Sequence, residues 1–71
     1  MSEYYFNVNC DKANGVFDTA DEALKFATHH VWMSPNNIPL AKDLISEGSI
    51  YRYAYEFCGC EIIPVAKRRT P

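Results

Sequence analysis

The chain has only three glycines among its 71 residues, at positions 15, 48 and 59, and they are too scattered to form a loop that wraps a phosphate. A nucleotide site is therefore not expected. Its longest apolar runs are a few residues, far short of a membrane-spanning helix. The opening residues, Met1-Ser2-Glu3-Tyr4, hold neither a basic region nor an apolar signal segment, so the expected compartment is the cytoplasm. There is no surplus of basic charge. Residues 1–66 carry four basic against nine acidic groups, a charge of −5, and Lys67, Arg68 and Arg69 make the tail +3. Non-specific duplex binding requires an extended basic footprint, and the acidic body argues against it. The cysteines, Cys10, Cys58 and Cys60, are odd in number, which does not make a closed disulfide framework, and a reducing compartment keeps them as thiols. No family signature of nucleophilic catalysis surrounds any of them, so the expectation is a protein that is not an enzyme and holds no cofactor.

What is present is globular. Nearly half the residues are apolar, and the five tyrosines and four phenylalanines are more than a disordered chain would hold. The length allows one domain near the lower limit for a self-sufficient core, here residues 1–66 followed by a basic tail at 67–71.

Residues 3–10 alternate, with Tyr4, Phe6, Val8 and Cys10 on one face and Tyr5, Asn7 and Asn9 on the other, as in a half-buried strand. Asn14-Gly15 signals a turn, with Val16-Phe17 returning as a short second strand. Thr19 and Glu22 have the spacing of a capping box, and Ala20, Leu24, Ala27 and Val31 follow as a helical stripe with Ala23 beside it. A helix is expected over 20–32. Ser34-Pro35-Asn36-Asn37 ends that pattern, and a second, shorter helix is expected near 38–47, with Pro39 in its first turn, Leu40, Ala41, Leu44 and Ile45 as its apolar side and Gly48 as its stop. Residues 49–57 alternate again, placing Tyr51, Tyr53, Tyr55 and Phe57 on one side and Ile50, Arg52, Ala54 and Glu56 on the other. Cys58-Gly59 reads as the turn into a last strand over 60–67, which Pro64 assigns to a sheet edge or an irregularity. A two-residue turn there would set Glu56 against Glu61, so a register shifted by one is preferred, with Ile63 and Val65 on the tyrosine face. The expected fold is α+β: a small antiparallel sheet in the order β-β-α-α-β-β, its second strand short, with two helices packed on one face.

Three functional readings compete. The leading one is a non-catalytic binding protein whose partner is another protein, with Trp32, Met33 and His30 at the end of the first helix as its anchor, since Trp and Met are enriched at interfaces. The second is single-stranded nucleic-acid binding, with Tyr51, Tyr53 and Tyr55 as a stacking row and Arg52 and the tail as phosphate contacts. Against it, four aromatics at period two, Phe57 included, describe a core-facing strand, and Arg52 points the other way. The third is a zinc-stabilised domain built from Cys10, Cys58, Cys60 and His29 or His30, residue types that suit zinc but without the usual Cys-x₂-Cys spacing. A small core with an open sheet edge also favours a homodimer through that edge or the Trp32 region, unless the surface stays free for a partner.

The stretch Thr19–Ala27 (Thr-Ala-Asp-Glu-Ala-Leu-Lys-Phe-Ala) resembles a helix start found in many small phage and bacterial proteins, among them the small inhibitors of host RNA polymerase of T7-like phages. That likeness spans nine residues of good helix formers and transfers no functional residue. The chain as a whole resembles in style the small early proteins of T4-like phages, being compact, acidic, aromatic-rich and without catalytic signatures. This resemblance implies a bacterial host protein as the partner and the host cytoplasm as the location.

Overall fold

In a computed structural model, residues 3–55 and 58–67 are described, Tyr55 and Cys58 by their backbone alone. The elements are β1 (Tyr4–Cys10), β2 (Ala13–Phe17), α1 (Ala20–His30), α2 (Ile38–Ser46), β3 (Tyr51–Tyr55) and β4 (Cys58–Ala66). The strands form one antiparallel sheet in the order β2-β1-β4-β3. Both helices lie on one face, α1 over β1 and β2, α2 over β3 and β4. The α+β expectation is met.

The period-two reading of β1 holds: Phe6 and Val8 are buried on the helix side, and Tyr4 and Cys10 pack against the same core. Opposite them on β4 stand Cys60 and Ile62, both buried. On α1 the whole stripe Ala20, Ala23, Leu24, Ala27 and Val31 is buried. Its three alanines keep the helix close to the sheet. Thr19 caps it: Glu22 N–H donates to Thr19 Oγ1 at 3.2 Å, and the Thr19 hydroxyl donates to the Glu22 carboxylate at 3.0 Å. The helix ends at His30, so Trp32 lies beyond it. On α2, Ala41 and Ile45 are buried, but Leu40, expected on the apolar side, is exposed.

Four expectations are corrected. The first turn is not Asn14-Gly15. Cys10 pairs with Ala13, so the chain reverses at Asp11-Lys12, and Asn14 and Gly15 belong to β2. The physical gain is a full five-residue pairing with β1 in which Phe17 stands opposite Phe6 on the helix side.

The β3–β4 register is also different. Tyr53 faces Cys60 and Tyr55 faces Cys58, so Cys58-Gly59 belongs to β4 and the reversal falls on Glu56 and Phe57, outside the described residues. This alignment sets Arg52 opposite Glu61 with Nε to Oε2 at 2.8 Å, an attraction where the two-residue turn would have set Glu61 against Glu56. It turns Ile63 and Val65 away from the tyrosine face.

Third, β4 is a central strand in spite of Pro64. The bonds from Asp11 N to Gly59 O and from Lys67 N to Glu3 O show that odd-numbered residues of β4 bond to β1. The missing N–H of Pro64 would point towards β3, but β3 begins at Tyr51, opposite Ile62. No ladder bond is lost there.

Fourth, Cys10 and Cys60 are not thiols. They stand opposite one another, 4.1 Å apart at Cα, and are joined as a disulfide across 50 residues of sequence. Closing so long a loop restricts the unfolded chain, with an upper bound of about 4 kcal/mol of stabilisation. Thiol titration of the denatured, unreduced protein is expected to find only Cys58 reactive, and all three cysteines after reduction. A count of three without reductant would contradict the pairing.

Gly48 closes α2. Its φ is +92°, and the N–H groups of Gly48 and Ser49 donate to the carbonyls of Ile45 and Leu44, both at 3.0 Å, as in a Schellman motif. A Cβ here would approach the Tyr4 hydroxyl to 2.6 Å. Gly48→Ala combines left-handed strain with that clash and is expected to destabilise the fold by about 2 kcal/mol. Denaturant melts of the two proteins measure it, and a difference within error would contradict the assignment.

Candidate functional site

The helices cover one face of the sheet. On the other, the registers place Tyr5, Asn7 and Asn9 of β1, Asn14 and Val16 of β2, Arg52 and Ala54 of β3, and Gly59, Glu61, Ile63 and Val65 of β4. An antiparallel sheet facing water on one side normally shows a polar outer surface. Here polarity is divided along the strands. One end carries Asn9, Asn14, Glu61 and Arg52, while the other carries Tyr5, Val16, Ile63 and Val65, with Asn7 between Val16 and Ile63 and with Ile50 just before β3. Tyr5, Val16, Ile50 and Val65 are all exposed, Val16 by 64%. Between the strands at the polar end is an open hollow of about 620 Å³, floored by Ala54 and Gly59, which face one another. Asp11 borders it, accepting from Gly59 N–H through Oδ2 at 3.2 Å.

Charge is distributed differently over the two sides. Asp18, Asp21, Glu22, Asp43 and Glu47 are exposed on the helices and their ends, against Lys25 and Lys42. Lys42 reaches Asp21 at 2.9 Å, tying the two helices together, and that hydrogen bond and charge raise the lysine's pKa. On the open face Arg52 is matched by Glu61. Lys67 Nζ lies 4.8 Å from the centre of the Tyr5 ring.

The three anchor residues separate. Trp32 is 66% exposed and, with Met33, Ser34, Asn37, Tyr51, Tyr53 and Ala54, lines a cavity of about 160 Å³. Met33 is a core residue, 6% exposed. His30 opens onto another groove, of about 480 Å³, where its ring lies 4.6 Å from that of Phe26 beside Phe17, Glu22, Lys25 and His29.

Of the tyrosine row, Tyr51 and Tyr53 lie half-buried on the helix side, their rings 5.6 Å apart, and the Tyr55 side chain is outside the described residues. The proposed zinc ligands do not assemble. The Cys10 and Cys60 sulfurs bond each other, the Cys58 side chain is outside the described residues, and no cluster of three or more His, Cys, Asp or Glu side chains able to hold a metal occurs among the described residues. No described helix is long and apolar enough to cross a membrane. Comparison with known protein families, curated proteins and solved structures gives no match.

The hydroxyl of Tyr53 is shielded from solvent and has no hydrogen-bond partner among the described residues. Burial, with a smaller contribution from Tyr51, raises its pKa from the ordinary 10.0 to about 12. Its contribution to stability is complete below pH 10.0 and falls as the pH rises towards about 12, because the unfolded chain ionises first. Tyr53→Phe removes that dependence and the unpaired hydroxyl together. It is expected to be more stable than the parent at neutral pH by about 1 kcal/mol, by a wider margin near pH 11, and melts at the two pH values measure both effects.

Proposed function

We propose that the chain is a small non-catalytic domain that binds another protein through the helix-free face of its sheet. The observation that carries this reading is the grouping of Tyr5, Val16, Ile50, Ile63 and Val65 at one end of a face that water alone would have kept polar. Single exposed apolar residues are ordinary on a monomer, but several grouped at one end of a face, here around the one polar residue Asn7, are characteristic of an interaction surface. A tyrosine and aliphatic side chains with matched charges beside them suit a protein partner. An accessory or inhibitory role acting on a bacterial host protein, as for a phage-encoded modulator, is the form that the resemblance in style suggests.

Nucleic-acid binding is the weaker reading. Tyr51 and Tyr53 are packed on the helix side, and Tyr5, the aromatic residue of the open face, already has a lysine above its ring. A base stacking on that surface would first displace Lys67.

Affinity capture from a bacterial lysate tests the reading. The parent protein is expected to retain one protein in stoichiometric amount, and the double variant Val16→Lys, Val65→Lys to lose it. Both positions are exposed, so the variant's melting temperature should stay close to the parent's. Retention of RNA or DNA in place of a protein would overturn the proposal.

A further inference from the structure

Among the described residues, no strand pairs with the outer edge of β3. The odd residues of β4 bond to β1, so Cys60 and Ile62 bond instead to Tyr53 and Tyr51. The N–H and C=O groups of Arg52 and Ala54 consequently point away from the sheet, and no other described backbone group bonds to them. Natural edges are usually defended by proline, lysine or a bulge. β3 has no proline and no lysine, its pairing runs without a bulge from Tyr51 to Tyr55, and its charge, Arg52, is held by Glu61 on the open face.

The cavity beside Trp32 lies along this same edge. Tyr51 and Tyr53 project to the helix side and Ala54 to the open side, yet all three line it. Its lining takes residues of β3 and of the segment after α1 but, among the described residues, none of β4, so it lies beside the strand's outer edge. At about 160 Å³ it has room for one aliphatic side chain, with the exposed Trp32 as one wall.

We propose that β3 is a docking edge for an extended peptide segment of a partner protein, which adds a fifth strand to the sheet and places one aliphatic side chain in the cavity beside Trp32. Main-chain bonds to Arg52 and Ala54 supply affinity, and the cavity selects the side chain at one position of the segment. The inference rests on the protein-binding reading and adds to it a second contact and a peptide conformation. A second copy of the chain fits less well. Two β3 strands meeting about a two-fold axis would offer each other Tyr51 and Tyr53, which are already engaged with their own helices. At the other edge, the groove beside β2 is bordered by Phe17 and by residues of α1, so it stays on the helix side.

The test is selection of a displayed library of random seven-residue peptides on the intact oxidised protein, followed by titration of the strongest binder as a capped synthetic peptide. Trp32 is the chain's one tryptophan, so its fluorescence reports occupancy of the cavity. Selected sequences are expected to share one aliphatic position. Binding should protect the amides of Arg52 and Ala54 from hydrogen exchange. N-methylating alternate residues of the peptide should weaken binding at least tenfold in one parity and little in the other. Ala54→Pro, which removes an outward N–H that β4 does not use, and Trp32→Ala should each weaken binding at least tenfold, while Glu47→Ala, on the far end of α2, should not.

Failure to enrich any peptide would overturn the docking edge, as would equal tolerance of both N-methylation parities. So would a dimer in sedimentation equilibrium that Ala54→Pro dissolves, since the edge would then belong to a second copy. None of these results touches the protein-binding reading if lysate capture still depends on Val16 and Val65. Loss of capture specificity with peptide binding intact would remove the open face and leave the edge.

Discussion

The antiparallel pairing of β1 with β4 is the constraint on which the remaining structure depends. It joins residues near the two ends of the chain, runs from Tyr4 opposite Ala66 to Cys10 opposite Cys60, and forms the centre of the sheet. Its parity decides which backbone groups of β4 turn towards β3, and so which groups of β3 remain unpaired. It also sets Phe6, Val8, Cys60 and Ile62 together beneath the helices. Pairings this distant in sequence are entropically expensive to form, and this one joins two local hairpins, β1–β2 and β3–β4, into a single sheet. The Cys10–Cys60 bond lies at one end of this pairing and holds it where the sheet continues into both hairpin ends.

Local signals were legible wherever one pattern determined one element. The alternation of β1 and the stripe Ala20, Leu24, Ala27 and Val31 each pointed to a single buried face, and Thr19 with Glu22 marked the start of α1 by the chemistry of its unpaired amides. Turns were less legible because strong dipeptide signals compete with pairing over longer distances. Asn14-Gly15 and Cys58-Gly59 both look like reversals, yet each lies within a strand because the cross-strand partners are better there. Phe17 meets Phe6, and Arg52 meets Glu61. Pro64 was misleading for a related reason. A proline is excluded from a central strand only where a neighbour needs its N–H, and that depends on where the neighbour ends.

The proposed binding face was hidden by the same register error. A displacement that changes parity moves every side chain of a strand to the opposite face. Ile63 and Val65 were assigned to the core and are found on the surface, so the apolar patch they form with Tyr5 and Val16 had no visible counterpart in the sequence. Trp32 and Met33 were singled out because both types are enriched at interfaces, but only Trp32 is exposed, whereas Met33 beside it turns inward. The missed signal was present in the chain. Arg52 and Glu61 are opposite charges on facing strands, and aligning them first would have put Tyr53 against Cys60 and Ile63 outside.

The disulfide and the open face are physically connected. A domain of this size gains little margin from its core, and here three of the core positions on α1 are alanines, which bury little area. This chain leaves Tyr5, Val16, Ile50, Val65, Leu40 and Trp32 in water, and keeps an unpaired hydroxyl at Tyr53. A covalent link across 50 residues destabilises the unfolded state without using any apolar surface. Stability taken from a cross-link in this way leaves side chains available for contacts outside the domain, so the residues that would otherwise enlarge the core can serve a partner instead.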